Sequence, residues 1–292
     1  MIPPQFAYFA PTTLQEALTL LRHYGSEAKL LSGGQSLIPL MKLRLATPAY
    51  LIDINRIPGL DYLDERNGFL RIGALTREAD LERSDLVRTQ YPIVRDTARV
   101  IGDPLVRNLA TIGGNLAHAD PANDHPATLL ALEAEIVATG LEGERTIPVA
   151  EFFTDFFTTA LRPDEMLTEI RIPTPTAGSG GAYVKLERKV GDFAIVGAAA
   201  QVTIDATGIC TRAGIGLTNV GPTPLKAHQA ETFLQGKRLH QDSITQAAQL
   251  AAEAARPEAD LRGSIAYKRD MVRVLTTRAL TRAQERAGGH VT

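Results

Sequence analysis

The amino-acid sequence predicts an α+β protein whose amino-terminal part is of α/β type. Three observations predict it: an opening segment that alternates strand and helix patterns, a later region with strands first and helices after, and a Pro/Gly-rich run between them.

Residues 14–24 place Leu14, Ala17, Leu18 and Leu21 at helical spacing, with Thr12 or Thr13 positioned to cap the helix. Residues 29–31 and 50–54 read as strands, the first broken by Ser32-Gly33-Gly34-Gln35-Ser36. Strands separated by helical stretches favour a partly parallel unit. Residues 69–74 read as a strand, followed by helices from about Arg77 and over 93–100. A Gly-rich stretch over 111–115 precedes an Ala/Leu-rich helix at 127–132, and strands over 135–138 and 166–172 complete the unit. Phe152, Phe153, Phe156 and Phe157 are spaced to share a helix face and read as packing.

Residues 173–181 carry Pro and Gly at a density that cannot continue a helix or a central strand, so they read as a linker. The expected domains are therefore 1–176 and 177–288. Beyond the linker, strands are expected over 182–188, 194–204 and 209–220, then helices over 224–235, 243–255 and 269–286. The charges of the last helix read as a solvated face or a partner contact. No internal repeat is present.

Composition excludes several classes of function. A formal net charge of -2 has no basic excess, which argues against binding a nucleic-acid backbone. No apolar run approaches the roughly 20 residues needed to span a bilayer. Met1-Ile2-Pro3-Pro4-Gln5 lacks a basic region followed by an apolar stretch, so no signal peptide and a cytoplasmic location are expected. Cys210 is the single cysteine, which excludes an internal disulfide and an iron–sulfur cluster held by four thiolates of this chain. It reads as a buried structural thiol in a strand. Redox chemistry would need a bound organic cofactor, with any metals held by another chain.

Two Gly-Gly turns can hold a dinucleotide. In Leu31-Ser32-Gly33-Gly34-Gln35-Ser36-Leu37 the paired glycines follow a strand, permit positive φ and let the backbone approach a ligand. Successive N–H groups in such a turn form a nest for anionic oxygens, with Ser32, Gln35 and Ser36 adding donors. Thr111-Ile112-Gly113-Gly114-Asn115 repeats the pattern, and two such turns suit a pyrophosphate gripped from both sides. Gly214-Ile215-Gly216-Leu217-Thr218-Asn219 lacks the last Gly of the Rossmann fingerprint and a following helix, and Gly236-Lys237 lacks the glycine loop of a P-loop. His118, Asp120, Asp124 and His125 lack the helical spacing of zinc ligands, so no metal site is expected. Asp124 is also placed to cap the following helix.

Read with their neighbours, the two turns carry a family resemblance. The run from Ser32-Gly33-Gly34-Gln35-Ser36-Leu37 through Ile38-Pro39-Leu40-Met41-Lys42-Leu43-Arg44 resembles the first FAD loop of the FAD-binding (medium) subunits of the molybdenum hydroxylase, or molybdopterin dehydrogenase, family. Val106-Arg107-Asn108-Leu109-Ala110-Thr111-Ile112-Gly113-Gly114-Asn115-Leu116-Ala117, with Asp120-Pro121-Ala122-Asn123-Asp124, resembles the second. The likeness runs to about Ala287 and is strongest to medium subunits of aerobic carbon monoxide dehydrogenases. It implies a two-subdomain FAD-binding fold of the PCMH/vanillyl-alcohol-oxidase type, with subdomains of about 1–56 and 57–176. A carboxy-terminal domain with a three-stranded antiparallel sheet and helices would pack over them.

The resemblance also implies residue roles. Ser32, Gly33, Gly34, Gln35, Ser36 and Leu37 match one loop that holds the diphosphate and ribityl chain, and Thr111, Ile112, Gly113, Gly114 and Asn115 match the other. Ile101, Asp124 and Leu161 match positions along the nucleotide or flavin. Lys185 matches a lysine reaching the cofactor from the carboxy-terminal domain, although by itself it reads equally as a solvated edge-strand residue. Phe193 aligns with an aromatic near the flavin ring. Gln35 stands where several relatives carry His, which keeps a hydrogen-bond donor and removes a titratable group.

The implied function is electron transfer, with no catalytic acid or base in this chain. Substrate is oxidised in a molybdopterin-containing large subunit, and electrons pass through a [2Fe–2S] small subunit and FAD to NAD, a quinone or oxygen. The implied assembly is a dimer of heterotrimers. Two other readings remain: a stand-alone FAD reductase resembling UDP-N-acetylenolpyruvoylglucosamine reductase, whose longer Asn-Ala-Gly run is missing here, and a binding module that has lost FAD.

Overall fold

The computed structural model describes residues 2–288; Met1, read above with the amino-terminal stretch, lies outside them. Among the described residues three sheets follow one another, with a two-stranded hairpin beside the second. The first contains β1 (Ala7–Phe9), β2 (Ala28–Leu31) and β3 (Tyr50–Asp53), all parallel, in the order β1-β3-β2. Helix α1 (Leu14–Tyr24) crosses between the first two strands and buries Ala17, Leu18 and Leu21. Of the two expected caps, Thr13 is the one used: its hydroxyl accepts from the Glu16 amide at 3.2 Å. A short α2 (Leu37–Lys42) follows the first glycine turn.

The second sheet is antiparallel, in the order β4 (Leu63–Arg66), β5 (Phe69–Gly73), β10 (Met166–Pro173), β6 (Glu135–Gly140) and β7 (Gly143–Pro148). Between β5 and β6 lie α3 (Glu78–Arg83), α4 (Asp85–Gln90), α5 (Pro92–Arg99), α6 (Pro104–Arg107), α7 (Ile112–His118) and α8 (His125–Leu132). After β7 come α9 (Val149–Phe152) and the hairpin β8 (Phe153–Asp155) with β9 (Thr158–Thr159). Every side chain of α8 is buried, so this helix is enclosed on all sides.

The third sheet is antiparallel: β11 (Ser179–Leu186), β12 (Val196–Ile204), β13 (Cys210–Thr218) and β14 (Leu225–Lys226). Helices α10 (His228–Leu234), α11 (Gln241–Ala254) and α12 (Ile265–Arg286) follow. The sheet thus has the three expected long strands plus a two-residue fourth. That fourth strand falls inside the expected helix over 224–235, which begins only at His228. Strands β12 and β13 pack on α8, and Tyr183 and Ala199 of this sheet join the core of the second.

Two further expectations are corrected. The expected linker over 173–181 is much shorter, because β10 runs through Pro173 and β11 begins at Ser179. Gly180 and Gly181 are strand residues; β11 lies at a sheet edge, and a Cβ on Gly180 would collide with the backbone of α12. The four phenylalanines do not share a helix. Phe152 ends α9 fully buried, Phe153 starts β8, and Phe156 and Phe157 stand exposed at the hairpin tip. A one-dimensional periodicity cannot separate a helix face from a helix end followed by a turn.

Cys210 is buried as expected, and burial pushes its thiol up to about 11. Native protein at neutral pH should therefore leave Cys210 unmodified by a chromogenic thiol reagent, whereas protein in denaturant should titrate one thiol. Rapid labelling of the native chain would contradict this packing.

Candidate cofactor site

The two glycine motifs come together, although the first follows β2 of the first sheet and the second opens α7. Ser32 Oγ lies 3.0 Å from Thr111 Oγ1, the two hydroxyls sharing a hydrogen bond. This approach depends on missing side chains. A Cβ on Gly33 would collide with the Leu109 carbonyl, and one on Gly114 would sit 2.7 Å from Ser32 Oγ and 2.8 Å from Thr111 Oγ1. Gly34 has φ +72°, the left-handed region that favours glycine.

The two motifs differ in what they offer a ligand. Among the described residues, no acceptor meets the amides of Gly33, Gly34, Gln35 or Ser36. These successive N–H groups, with Gly34 in left-handed geometry, are thus left available to an anionic ligand. The Gln35 side chain folds back, its Nε2 donating to the Gly33 carbonyl at 3.1 Å, which stiffens the loop.

The second motif is not a turn. Ile112, Gly113, Gly114 and Asn115 open α7, with Thr111 as its cap. Their amides are already engaged: Ile112 with the Thr76 carbonyl (3.1 Å), Gly113 with the Ala74 carbonyl (3.0 Å), Gly114 with Thr111 Oγ1 (3.1 Å) and Asn115 with the Thr111 carbonyl (3.0 Å). This motif therefore presents side chains rather than an amide cradle. Asn115 Oδ1 is buried without a partner, as a group awaiting a ligand donor would be.

A second group of predicted residues gathers where the third sheet meets the second. Lys185 is no solvated edge residue. Its side chain is 2% exposed, and its ammonium donates to Asp124 Oδ2 at 2.9 Å and to the Val100 carbonyl at 2.9 Å. Tyr183, two residues earlier on the same strand face, donates to Asp124 Oδ1 at 2.5 Å. Burial raises the Asp124 carboxyl above its ordinary value, against the pull of Lys185 and Tyr183. Burial, reinforced by Asp124, also holds the Tyr183 hydroxyl well above 10, so it stays a donor. Asp124 occupies the cap position of α8 without capping it, because its carboxylate is turned to the other domain.

Ile101 precedes Gly102, and both their carbonyls accept from Arg107 Nη1, at 3.3 and 3.1 Å. A Cβ on Gly191 would lie 2.9 Å from the Gly102 carbonyl, so the loop carrying Phe193 rests on the Ile101–Gly102 turn. Phe193 itself is 45% exposed. The Asn123 side-chain amide donates to the Asn115 carbonyl at 2.7 Å, which connects this group to the glycine motifs. Leu161 is half-buried after β9 and packs on the core of the second sheet, with no polar contact to the other predicted residues.

The His/Asp set divides among separate partners. His125 Nε2 lies 2.7 Å from Glu78 Oε2, both fully buried, and Asp120 Oδ1 accepts from the Ala122 amide at 2.9 Å. His118 rests against the Phe157 ring, centroids 5.1 Å apart, and burial lowers its pKa. Sequence reasoning missed Tyr183 and the Glu78–His125 pair. Strand alternation with Lys185 was a usable signal for Tyr183; Glu78 and His125 are 47 residues apart and carried none.

A family model described as "FAD binding domain in molybdopterin dehydrogenase" matches residues 4–175, and one described as "CO dehydrogenase flavoprotein C-terminal domain" matches residues 181–283. The chain belongs to the molybdopterin dehydrogenase flavoprotein family. It is similar to the carbon monoxide dehydrogenase medium chain of Hydrogenophaga pseudoflava, 44% identical over 98% of this chain and 99% of that one. It is 40% identical to the 6-hydroxypseudooxynicotine dehydrogenase complex subunit alpha of Paenarthrobacter nicotinovorans, over 98% and 97%. A solved carbon monoxide dehydrogenase from H. pseudoflava, lacking the Mo-pyranopterin moiety, matches with a TM-score of 0.95 and 46% identity, over 98% and 99%. The chain is thus a medium, FAD-binding subunit of a molybdenum hydroxylase-type oxidoreductase complex, as the motifs implied.

Two outcomes follow from this geometry. Gly33→Ala should part the Ser32 and Thr111 hydroxyls and lower FAD occupancy by about tenfold or more, read from the flavin-to-protein ratio of the complex. Wild-type occupancy would show that the close approach is not required. Lys185→Met should cost about 3–5 kcal/mol in urea unfolding by leaving the Asp124 carboxylate buried without its counter-ion, and adding Asp124→Asn should recover part of the loss.

Proposed function

We propose that this subunit carries electrons through FAD, taking them from a [2Fe–2S] small subunit fed by a molybdopterin-containing large subunit. It delivers them to an external acceptor, NAD, a quinone or oxygen, within a dimer of heterotrimers. The observation that carries the reading is the run of open amides from Gly33 to Ser36, next to the Ser32–Thr111 hydroxyl contact, in a chain of this family. FAD, when bound, supplies the redox chemistry that couples single-electron donors to pair acceptors, and the protein supplies binding, orientation and electrostatics.

In this reading the amides of Gly33, Gly34, Gln35 and Ser36 hold the diphosphate, with Ser32, Leu37, Thr111, Ile112, Gly113, Gly114 and Asn115 completing the two loops. Ile101, Asp124, Leu161, Lys185 and Phe193 line the nucleotide and flavin. Lys185 and Asp124 act as a neutralised pair that fixes the Val100 carbonyl and the adjoining turn, with no proton transfer asked of them. Residues 1–176 and 177–288 are the two domains. The substrate pocket belongs to the large subunit.

The location is taken to be cytoplasmic; the lone buried thiol is compatible with a reducing compartment. Among the described residues no helix is long and apolar enough to cross a membrane. The stand-alone reductase reading is not favoured, because relatives named as complex subunits match nearly the whole chain.

The complex purified from its native source should release FAD on acid denaturation and contain molybdenum and iron. A preparation without flavin, or an isolated chain that oxidises NADPH with an enolpyruvyl sugar, would overturn the proposal.

A further inference from the structure

The contact between the two FAD loops is held from a third point. Arg77 lies between β5 and α3, outside both motifs. Its backbone forms an isolated bridge with Thr111, and the Glu78 amide beside it donates to the Ala110 carbonyl at 3.0 Å. Its guanidinium reaches both loops. Nη1 donates to the Leu109 carbonyl, the oxygen against which Gly33 packs. Nη2 donates to Asn55 Oδ1 at 2.8 Å. The Asn55 amide in turn donates to the Ser32 carbonyl at 2.9 Å and the Asp53 carboxylate at 2.7 Å. Asp53 is fixed by the Tyr8 hydroxyl at 2.6 Å.

We propose that Arg77 and Asn55 form a brace that sets the spacing of the two FAD loops and so tunes FAD affinity, as positioning residues. The inference rests on the FAD reading above. A single planar fork joins the Leu109 carbonyl of one loop to the Ser32 carbonyl of the other, through one amide side chain. The first loop follows β2 of the first sheet and the second motif opens α7, so no sheet ladder fixes their relative position. Holding them at the bound spacing before the cofactor arrives lowers the ordering cost of binding. The fork is what matters: a lysine ammonium keeps the charge but is a single point donor on a flexible stem, and cannot hold two acceptors in fixed directions.

The test uses the assembled complex, stripped of FAD and titrated with FAD while flavin fluorescence is followed. Arg77→Lys and Asn55→Ala should each weaken binding by about tenfold, the scale of one charge-assisted hydrogen bond. The double variant should lose no more than the weaker-binding single variant, because both remove the same brace. The melting temperature of the stripped complex should stay at the wild-type value, while the gain on saturation at a fixed FAD concentration shrinks.

Wild-type affinity in Arg77→Lys would overturn the proposal by showing that charge alone suffices. So would losses that multiply in the double variant. If Arg77→Lys does not assemble, Asn55→Ala decides alone, and wild-type affinity there refutes the brace. A wild-type complex that takes up no FAD would refute the FAD reading itself, a separate result.

Discussion

A loop after the first sheet and the start of helix α7 must touch, and they can do so only where two side chains are missing. The Ser32–Thr111 hydroxyl contact closes one side of the candidate site. Gly33 and Gly114 make it sterically possible, because a Cβ at either position would occupy space already taken by the opposite loop. Glycine here serves packing as much as ligand approach. Gly34 takes the left-handed geometry there, and the amides of the first loop meet no protein acceptor, whereas those of the second motif are engaged.

Buried polar contacts tie the carboxy-terminal domain to the candidate site. Tyr183 and Lys185 project from one face of β11 onto a single buried carboxylate of the preceding domain. Thr218 and Asn219 grip the same segment, the hydroxyl of one donating to the Asn123 carbonyl at 2.9 Å and the amide of the other to the Pro121 carbonyl at 2.9 Å. Arg286 at the end of α12 pairs with Asp96 of α5 at 2.6 Å. Buried charge of this kind adds little net stability but penalises any arrangement that separates the partners. It therefore fixes how the domains sit, which any cofactor lying between them requires.

Much of the fold was legible in the residues. The α1 periodicity, the long carboxy-terminal strands and the burial of Cys210 all follow from local patterns of one element. The readings that failed share a cause. The phenylalanine cluster, the length of the linker and the second Gly-Gly motif each look the same in sequence whether they form a helix, a turn or a strand. Packing against another element chose among them. Thr111, which caps α7, is itself bridged to Arg77, a pairing across 34 residues that no window on the sequence contains.

The sequence by itself determined the chemistry available: one thiol, two glycine-bearing motifs with hydroxyl and amide neighbours, and a family likeness that points to FAD. Residue identity and near-neighbour spacing are enough for that. Tertiary structure alone decided which amides stay open, which carboxylate Lys185 neutralises, and that Arg77 and Asn55 reach both loops. Those outcomes depend on distances between residues far apart in the chain, and backbone hydrogen bonds are assigned only when the sheets and helices have closed around them.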